Sequence, residues 1–302
     1  MTRYIAFCKI IECGSFTRAA EALGYTQAAV SQMIRSLEKE HALTLLIRTR
    51  SGVRLTCEGE KLYPLIRKYV SVHRELTECV GELHGLAAGE VRIGTFSSMS
   101  QRVLPGLMQA FGREYPQINF ILSPGDNTTL PERIRQGVID FGFVYPEAVA
   151  GLKSLPFVKD EFFAVFPAGH RYADRASVSL REMEEEPLIL VEEGGVNTVL
   201  DAFAAASLTP RVKFRIHDDH TILSMVEQGI GVSILPSMIL DRAVYRLKTV
   251  PIDTPVHRTV SICYHDEELL SLAARRFICF MFEHVGTYLP RPYVAFDAPP
   301  VL

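Results

Sequence analysis

The side chains best suited to chemistry in this sequence are Gln27, Ser31, Gln32 and Arg35, which share one side of a short predicted helix. Amide and guanidinium groups can donate hydrogen bonds to base edges in the major groove of DNA, and a serine hydroxyl can reach bases or phosphates. Ala28 is small at a place where a duplex must approach closely. These residues predict a surface that reads DNA, and a three-helix core with a solvated polar face is the alternative.

Two further helices are predicted to position this one. Residues 4–11 have the apolar spacing of a helix that Gly14 ends, and a short second helix is capped by Ser15 or Thr17. Thr26 then caps the third helix, because its hydroxyl can accept from a free amide of the first turn. The apolar face of this third helix consists of Ala29, Val30, Met33, Ile34 and Leu37. The pattern is typical of a helix-turn-helix.

A basic hairpin follows. Residues 45–47 and 53–55 have the composition of strands, and Ser51-Gly52 is a turn sequence. The hairpin carries three arginines with no acid between them, namely Arg48, Arg50 and Arg54. Their guanidinium groups would contact phosphates or enter the minor groove, which makes the hairpin a wing. The alternative is a solvated hairpin without a partner.

These residues resemble the signature of a known family. The matching stretches read FTRAAEALGYTQAAVSQMIRSLEKE and then RTRSGVRLTCEGE. They are similar to the N-terminus of the LysR-type transcriptional regulators, which has an aromatic residue, two alanines before a leucine, Ser/Thr-Gln, Ala-Val-Ser, Ile-x-x-Leu-Glu, and a wing ending in Leu-Thr before a glycine. Leu46, where the family usually has Phe, and Ile47, where a polar residue is common, depart from the pattern.

The resemblance implies that double-stranded DNA is a partner of a winged helix-turn-helix domain at residues 1–57. The DNA-binding residues would be Thr26, Gln27, Ala28, Ser31, Gln32, Arg35, Arg48, Arg50 and Arg54. RNA polymerase is left open as a further partner.

Residues 58–89 are predicted to form a linker helix with a narrow apolar seam. Its members alternate in spacings of three and four: Leu62, Leu65, Tyr69, Val72, Leu76, Cys79 and Leu83. Such a seam is typical of a coiled coil, and a helix packed on its own domain is the alternative. The resemblance implies an antiparallel pair of these helices in a homodimer or homotetramer.

Residues 90–302 alternate strand and helix patterns, which predicts a largely parallel α/β fold of two half-domains with a cleft. The stretches VRIGTFSSMSQRVLPGLMQAFGREYPQINF, RIRQGVIDFGFV and SMVEQGIGVSILP resemble the effector-binding domain of the same family, which has the fold of type 2 periplasmic binding proteins. Lobe I would comprise about 90–160 and 265–290, and lobe II about 161–264. The Pro-rich tail from residue 291 is expected to fray.

Three pairs of polar residues are candidates for binding a small-molecule effector. They are Ser97 with Ser98, Asn127 with Thr128, and Asn197 with Thr198. Each pair follows a predicted strand and precedes a helix, where α/β sheets bind ligands, and hydroxyls and free amides there suit an anion such as a carboxylate. The resemblance implies this role most clearly for Ser97 and Ser98. The alternative for each residue is a helix cap.

The composition restricts the remaining functions. The net charge of −3 divides into +4 for residues 1–56, −2 for 57–90 and −5 for 91–302. A basic N-terminal module therefore precedes an acidic C-terminal part. No apolar run is long enough for a membrane span, and no signal peptide is recognised at the start. The six cysteines lack metal-ligand spacing, so we expect reduced thiols in a cytoplasmic protein, with a redox pair as the alternative. His217, Asp219 and His220 are better explained by capping or effector contact than by a metal.

We therefore predict a regulator that binds DNA and is switched by a small-molecule effector between two lobes. It would need no cofactor, metal or catalytic residue. A solute-binding protein shares the fold of the body but does not explain the 90 residues before it. An enzyme on this fold is the third hypothesis, although no nucleophile, base and orienting group occur together locally.

Overall fold

The computed structural model describes residues 1–49, 52–83, 89–241, 245–289 and 293–299, without the side chains at positions 78, 79, 82 and 83. The chain begins with α1 (Thr2–Cys13), α2 (Phe16–Leu23), α3 (Gln27–His41) and a hairpin of β1 (Leu46–Thr49) and β2 (Gly52–Leu55). The core that they share includes Phe7, Ile10, Ala19, Val30, Ile34, Leu37 and Leu45.

The helices of this module begin and end where the sequence predicts. Ser15 Oγ accepts from the amide of Arg18, and Thr26 Oγ1 accepts from the amide of Ala29, so both hydroxyls cap a first turn. Gly14 ends α1 at a φ of 61°, in the left-handed region that glycine adopts without steric cost. The predicted winged helix-turn-helix is confirmed.

A 27-residue helix, α4 (Cys57–Leu83), leads away from this module. Tyr63 and Ile66 on one face are buried in the N-terminal core. An adjacent face carries large apolar side chains that are 45–64% exposed, namely Leu65, Tyr69, Val72, Leu76 and Val80. Four of them belong to the predicted seam, whereas Leu62 packs partly on the N-terminal core. The side chains of Cys79 and Leu83 lie outside the description.

The body starts with alternating strands and helices of lobe I. These are β3 (Gly89–Thr95), α5 (Ser97–Arg102), α6 (Leu104–Glu114), β4 (Ile118–Pro124), α7 (Thr129–Gln136) and β5 (Phe141–Val144). β3 pairs in parallel with both β4 and β5. Val91, Ile93, Phe141 and Phe143 alternate toward a core that contains Phe111, as expected for strands covered by helices.

Two long strands connect the lobes. β6 (Lys153–Pro167) leads into lobe II, which consists of α8 (Leu180–Glu184), β7 (Leu188–Val191), α9 (Thr198–Ala205), β8 (Val212–Ile216), α10 (Asp219–Glu227), β9 (Ser233–Pro236) and α11 (Ser237–Leu240). β10 (Leu247–Tyr264) returns to lobe I, where α12 (Leu272–Tyr288) completes the core. The main sheet has the order β4-β3-β5-β10-β6-β9, and β7 and β8 form a separate pair.

The connecting strands correct two predictions. They pair antiparallel from Leu247↔Pro167 to Tyr264↔Lys153, so the sheet is mixed rather than largely parallel. Residues 261–264 pair with β5, so they belong to lobe I, and the predicted end of lobe II at 264 is too late. The reason is that each long strand serves both lobes, so the boundary falls inside an element and not between two elements.

The tail also differs from its prediction. Val294 forms an antiparallel bridge with Val158, and the amide of Ala295 donates to the carbonyl of Phe157 at 3.1 Å. Phe296 packs on Phe157 and Phe282. Expected fraying is therefore wrong for residues 293–296, because aromatic packing anchors this segment on lobe I.

Candidate functional site

A groove of about 510 Å³ runs between α3 and the hairpin. Its walls include five of the predicted DNA-binding residues: Gln27, Ala28, Ser31, Arg35 and Arg48. Thr26, Gln32 and Arg54 are also exposed on these elements, and Arg50 lies outside the described residues. The groove therefore joins amide and guanidinium groups from the third helix and the wing in one concave surface.

Ser31 differs from the expectation that it faces outward, since it is only 8% exposed. Its hydroxyl accepts from Gln27 Nε2 and from a guanidinium nitrogen of Arg48, each at 3.2 Å. The guanidinium of Arg48 also lies 4.2 Å from the ring centre of Phe16. Ser31 therefore orients two neighbouring donors, because it sits at the base of the groove where the wing meets the helix.

Glu38 fixes the wing to the same helix. Its Oε1 accepts from the amides of Leu45 and Leu46 at 2.8 and 3.3 Å. On the other side, the amide of Val53 donates to the carbonyl of Gly14 at 3.1 Å. A Cβ on Gly52 would lie 2.7 Å from that carbonyl oxygen, so only glycine allows this approach. The groove therefore has a defined width.

A second concavity, of about 470 Å³, lies between the two lobes. We call it the cleft cavity. Its wall is formed by the segments after β3, β4 and β5 in lobe I, the segments after β7, β8 and β9 in lobe II, and the middle of β10. This arrangement agrees with the rule that ligands bind at the carboxyl ends of strands in α/β folds.

Arg258 is the central side chain of this wall, and 3% of its side chain is exposed. Its guanidinium donates to Tyr145 Oη at 2.8 Å, to Ser98 Oγ at 2.8 Å and to Asp160 Oδ2 at 3.0 Å. Glu193 Oε1 lies 3.7 Å from it and accepts a short hydrogen bond from Tyr145. The crossing strands and both lobes therefore meet in one buried polar network.

Direct contacts join the lobes around the cleft cavity. The amide of Asn127 donates to the carbonyl of Glu193 at 3.1 Å, and the amide of Gly195 donates to Thr128 Oγ1 at 2.8 Å. At another point, Arg102 pairs with Asp241 at 3.1 Å. The two lobes are thus in a closed arrangement.

The six predicted effector residues fall into three groups. Ser97, Ser98 and Asn127 line the cleft cavity. Thr128 joins the lobes through Gly195, and Asn197 caps α9, since its Oδ1 accepts from Leu200 N at 3.2 Å. Thr198 is not among the lining residues, and its amide donates to the Glu193 carboxylate.

The wall also contains Tyr145, Glu193 and Arg258, which are not predicted from the sequence, and Asp219, for which the sequence allows either capping or effector contact. Asp218 is the cap of α10, because its carboxylate accepts from Thr221 N at 2.7 Å, and Asp219 lines the cavity. Position after a strand could have indicated Glu193. Arg258 gave no such signal, because it lies within a strand.

Burial changes the acidity of two carboxyls in the wall. Desolvation raises the pKa of Glu193, against the attraction of Arg258 and the hydrogen bond from Tyr145. Desolvation likewise raises the pKa of Asp219, against a hydrogen bond from Ser97 and the attraction of Arg258. Because the folded chain holds these protons more tightly than the unfolded chain does, both groups favour folding at low pH and lose that contribution as pH rises through the raised pKa.

The described part of the chain bears on three other kinds of site: a metal centre, a membrane span and a reactive thiol. It contains no cluster of three or more histidines, cysteines or acids that could hold a metal ion. Its helices include none that is long and apolar enough to cross a membrane. Burial raises the pKa of the Cys8 and Cys263 thiols to about 12, which disfavours the reactive thiolate.

Comparison with known proteins explains the two sites together. Residues 1–60 match the family "Bacterial regulatory helix-turn-helix protein, lysR family", and residues 84–286 match the family "LysR substrate binding domain". The chain belongs to the LysR family of transcriptional regulators. It is 30% identical over 282 residues to YvbU of Bacillus subtilis, an uncharacterised HTH-type regulator, covering 92% of this chain and 96% of the relative.

Solved structures share the fold over almost the whole chain. Full-length OxyR from Pseudomonas aeruginosa superimposes with a TM-score of 0.76 at 21% identity, covering 98% of both chains. HinK, a LysR family regulator from the same organism, has a TM-score of 0.59 at 26% identity and covers 95% of this chain and 98% of its own. This LysR regulator is thus a DNA-binding protein with an effector-binding domain, and the family forms oligomers.

Proposed function

We propose that this regulator binds its operator in the groove between α3 and the wing and that an effector in the cleft cavity sets the affinity for DNA. The groove carries the first half of the proposal, because donors from two elements are held at a fixed spacing by Ser31 and Glu38. The second half is supported by the position of the cavity at the carboxyl ends of strands from both lobes.

Two substitutions distinguish backbone contact from base recognition. Arg54→Ala should weaken binding to every duplex by a similar factor and lower the salt-dependence slope by about 1. Gln27→Ala should reduce discrimination between the duplex selected by the wild type and a scrambled duplex by about 5- to 150-fold, since a bidentate base contact is lost. Fluorescence anisotropy at several salt concentrations measures both effects.

The matched control is Arg113→Ala, which removes the same charge from an exposed site on α6. It should leave the salt slope unchanged. If Gln27→Ala preserved sequence preference while Arg54→Ala did not weaken binding, the groove would not be the DNA interface.

The exposed seam on α4 is proposed as the surface that pairs two chains. Leu76→Lys places a charge where the side chain is 61% exposed in one chain and would be buried in a pair. Sedimentation equilibrium should show a lower mass than for the wild type. Thr77→Lys adds the same charge one residue away, off the seam, and should keep the wild-type mass; equal masses for all three chains would contradict the assignment.

Helix α7 is proposed to connect the effector to the DNA-binding module. At its start, beside the cleft cavity, Thr128 accepts from the amide of Gly195 in lobe II. Asp126 accepts from the amides of Thr128 and Thr129 at the beginning of the helix. At its end, Arg67 donates to the carbonyls of Arg135 and Ile134, and Tyr63 Oη donates to Gln136 at 2.7 Å. A helix of this length spans about 12 Å and moves as a unit, so a shift at the cavity reaches α4.

The proposal includes binding without turnover. Relatives are regulators, and the effector should be recovered chemically unchanged after incubation with the chain. Conversion of the effector at a rate that depends on the cleft-cavity residues would favour an enzyme instead.

A further inference from the structure

We infer that the effector carries a positively charged nitrogen, an ammonium or a guanidinium, that binds between Glu193 and Asp219. The inference rests on the proposed function in one respect, namely that the effector binds in the cleft cavity. It replaces the expectation of a carboxylate at Ser97 and Ser98.

The charges of the wall are unequal. Four carboxylates line the cleft cavity, from Asp126, Glu192, Glu193 and Asp219, against one arginine, Arg258, and one histidine, His217. Two of these carboxylates have partners of their own. Asp126 accepts from the amides of Thr128 and Thr129 at 2.9 and 2.8 Å, and Glu192 lies 3.6 Å from Arg215. Glu193 accepts from Tyr145 and from the Thr198 amide but shares the single charge of Arg258 with Asp160, and Asp219 forms no ion pair among the described residues.

The positive charge of Arg258 offsets only one negative charge, and Asp160 already pairs with it. Asp160, whose side chain is fully buried, lies 3.0 Å from the guanidinium. The rings of Phe96, Tyr145 and Phe162 surround the guanidinium at 5.4–5.7 Å. A ligand carboxylate would have to compete with Asp160 for a group that is enclosed on several sides.

Asp219 has the weakest compensation of the set. It is 9% exposed, accepts from the Ser97 hydroxyl and is attracted by Arg258 and His220, but it forms no ion pair with any residue in the described ranges. Its place in the first turn of α10 gives it the favourable end of the helix dipole, which equals about half an elementary charge. With Arg258, Asp160, Glu193 and Asp219 all ionised, the buried set carries two excess negative charges.

Such an excess is costly in a buried site unless a proton or a cation offsets it. The raised pKa of both Glu193 and Asp219 reflects this cost. A cationic nitrogen would satisfy both carboxylates with charge-assisted hydrogen bonds. A carboxylate at Ser97 would instead lie against Asp219.

The rest of the wall indicates an organic ligand. Phe96, Leu122, Val191 and Ile239 give the cleft cavity an apolar side. A volume of about 470 Å³ suits a molecule of metabolite size. The ligand class is therefore a small amine or guanidine with an apolar carbon portion.

Thermal-shift titration of the full chain tests this with matched probes. The cationic series is putrescine, cadaverine, agmatine and phenethylamine, and the anionic series is succinate, glutarate and 3-phenylpropionate. At least one cation should raise the melting temperature with saturable concentration dependence, and the anions should not. Two results overturn the inference: stabilisation by an anion alone, or no stabilisation by any cation at about 10 mM, which is ten times a Kd of about 1 mM.

Variants then locate the bound cation. Asp219→Asn and Glu193→Gln should each weaken it by about 10- to 150-fold in calorimetry, because a hydrogen bond to a charged group is lost. Asp201→Asn makes the same change in the first turn of α9 at an exposed site and should bind like the wild type. Cation binding that survives both cavity variants contradicts the inference.

A cavity-filling variant distinguishes a wrong ligand charge, which contradicts only this inference, from a wrong effector site, which contradicts the proposed function. Ser97→Trp should abolish binding of any ligand in the cleft cavity. If an anion binds and Ser97→Trp abolishes that binding, the cavity is the effector site and only the charge of the ligand is wrong. If ligands bind equally well to Ser97→Trp, the effector site lies elsewhere, and the proposed function fails.

Discussion

Replacing Arg258 by alanine should destabilise the effector-binding domain by about 3–5 kcal/mol, because it leaves the buried charges of Asp160 and Glu193 without their cation. For a domain of this size the melting temperature should fall by about 6–20 °C. Differential scanning calorimetry of the full chain measures the change. The loss is larger than the value of the ion pair itself, since the unpaired carboxylates remain desolvated.

Lys248→Ala is the matched control, because Lys248 lies on the same strand and pairs with Asp174 at 2.8 Å in an exposed position. It should cost about 0–1 kcal/mol. The double variant Arg258→Met with Asp160→Leu should recover much of the lost stability, because an apolar pair replaces two buried charges. Equal effects of Arg258→Ala and Lys248→Ala would show that the network does not hold the lobes together.

Replacing Arg67 by alanine should separate effector binding from DNA binding. In the wild type, we expect the effector to change DNA affinity by about 5- to 150-fold, the usual range of coupling between two sites. In Arg67→Ala this ratio should fall to about 1–2-fold, because α7 no longer holds α4 through the carbonyls of Ile134 and Arg135. Anisotropy titrations with and without a ligand that stabilises the chain give the ratio.

Lys68→Ala is the control for this prediction. It removes a charge from the next residue of the same helix, where Lys68 pairs with Glu268 and both side chains are at least half exposed. Its coupling ratio should match that of the wild type. Gly137→Ala offers a second route, since a Cβ there would lie 2.8–3.0 Å from the Arg67 guanidinium. Full coupling in Arg67→Ala would exclude α7 as the connection.

The N-terminal module could be predicted because its signals act over a few residues. Ser15 and Thr26 cap amides three positions away, and Gly14 ends the helix directly before it. Ser31 could not be assigned correctly, because the hydroxyl that helical spacing places on the polar face meets Arg48, 17 residues later. Helical periodicity predicts the face on which a residue lies, but contacts with other elements determine whether that residue is buried.

The cleft cavity shows the same limit over longer distances. Its strand ends were predictable from the alternation of strands and helices, which located Ser97, Ser98 and Asn127. Arg258 meets partners 98, 113 and 160 residues away, at Asp160, Tyr145 and Ser98. Such pairings depend on how β6 and β10 cross between the lobes, and the sequence around Arg258 does not predict which distant residues this crossing brings to it.

The return of β10 and α12 to lobe I has a consequence for synthesis of the chain. Phe111 and Phe141 pack on Phe277, yet all of lobe II is translated between them. At about 5–20 residues per second, roughly 7–27 s pass between the synthesis of Phe141 and that of Phe277 on α12. During that interval the aromatic side chains of the lobe I core lack their final cover. Slow translation of lobe II would therefore lengthen the time during which these aromatic side chains are exposed.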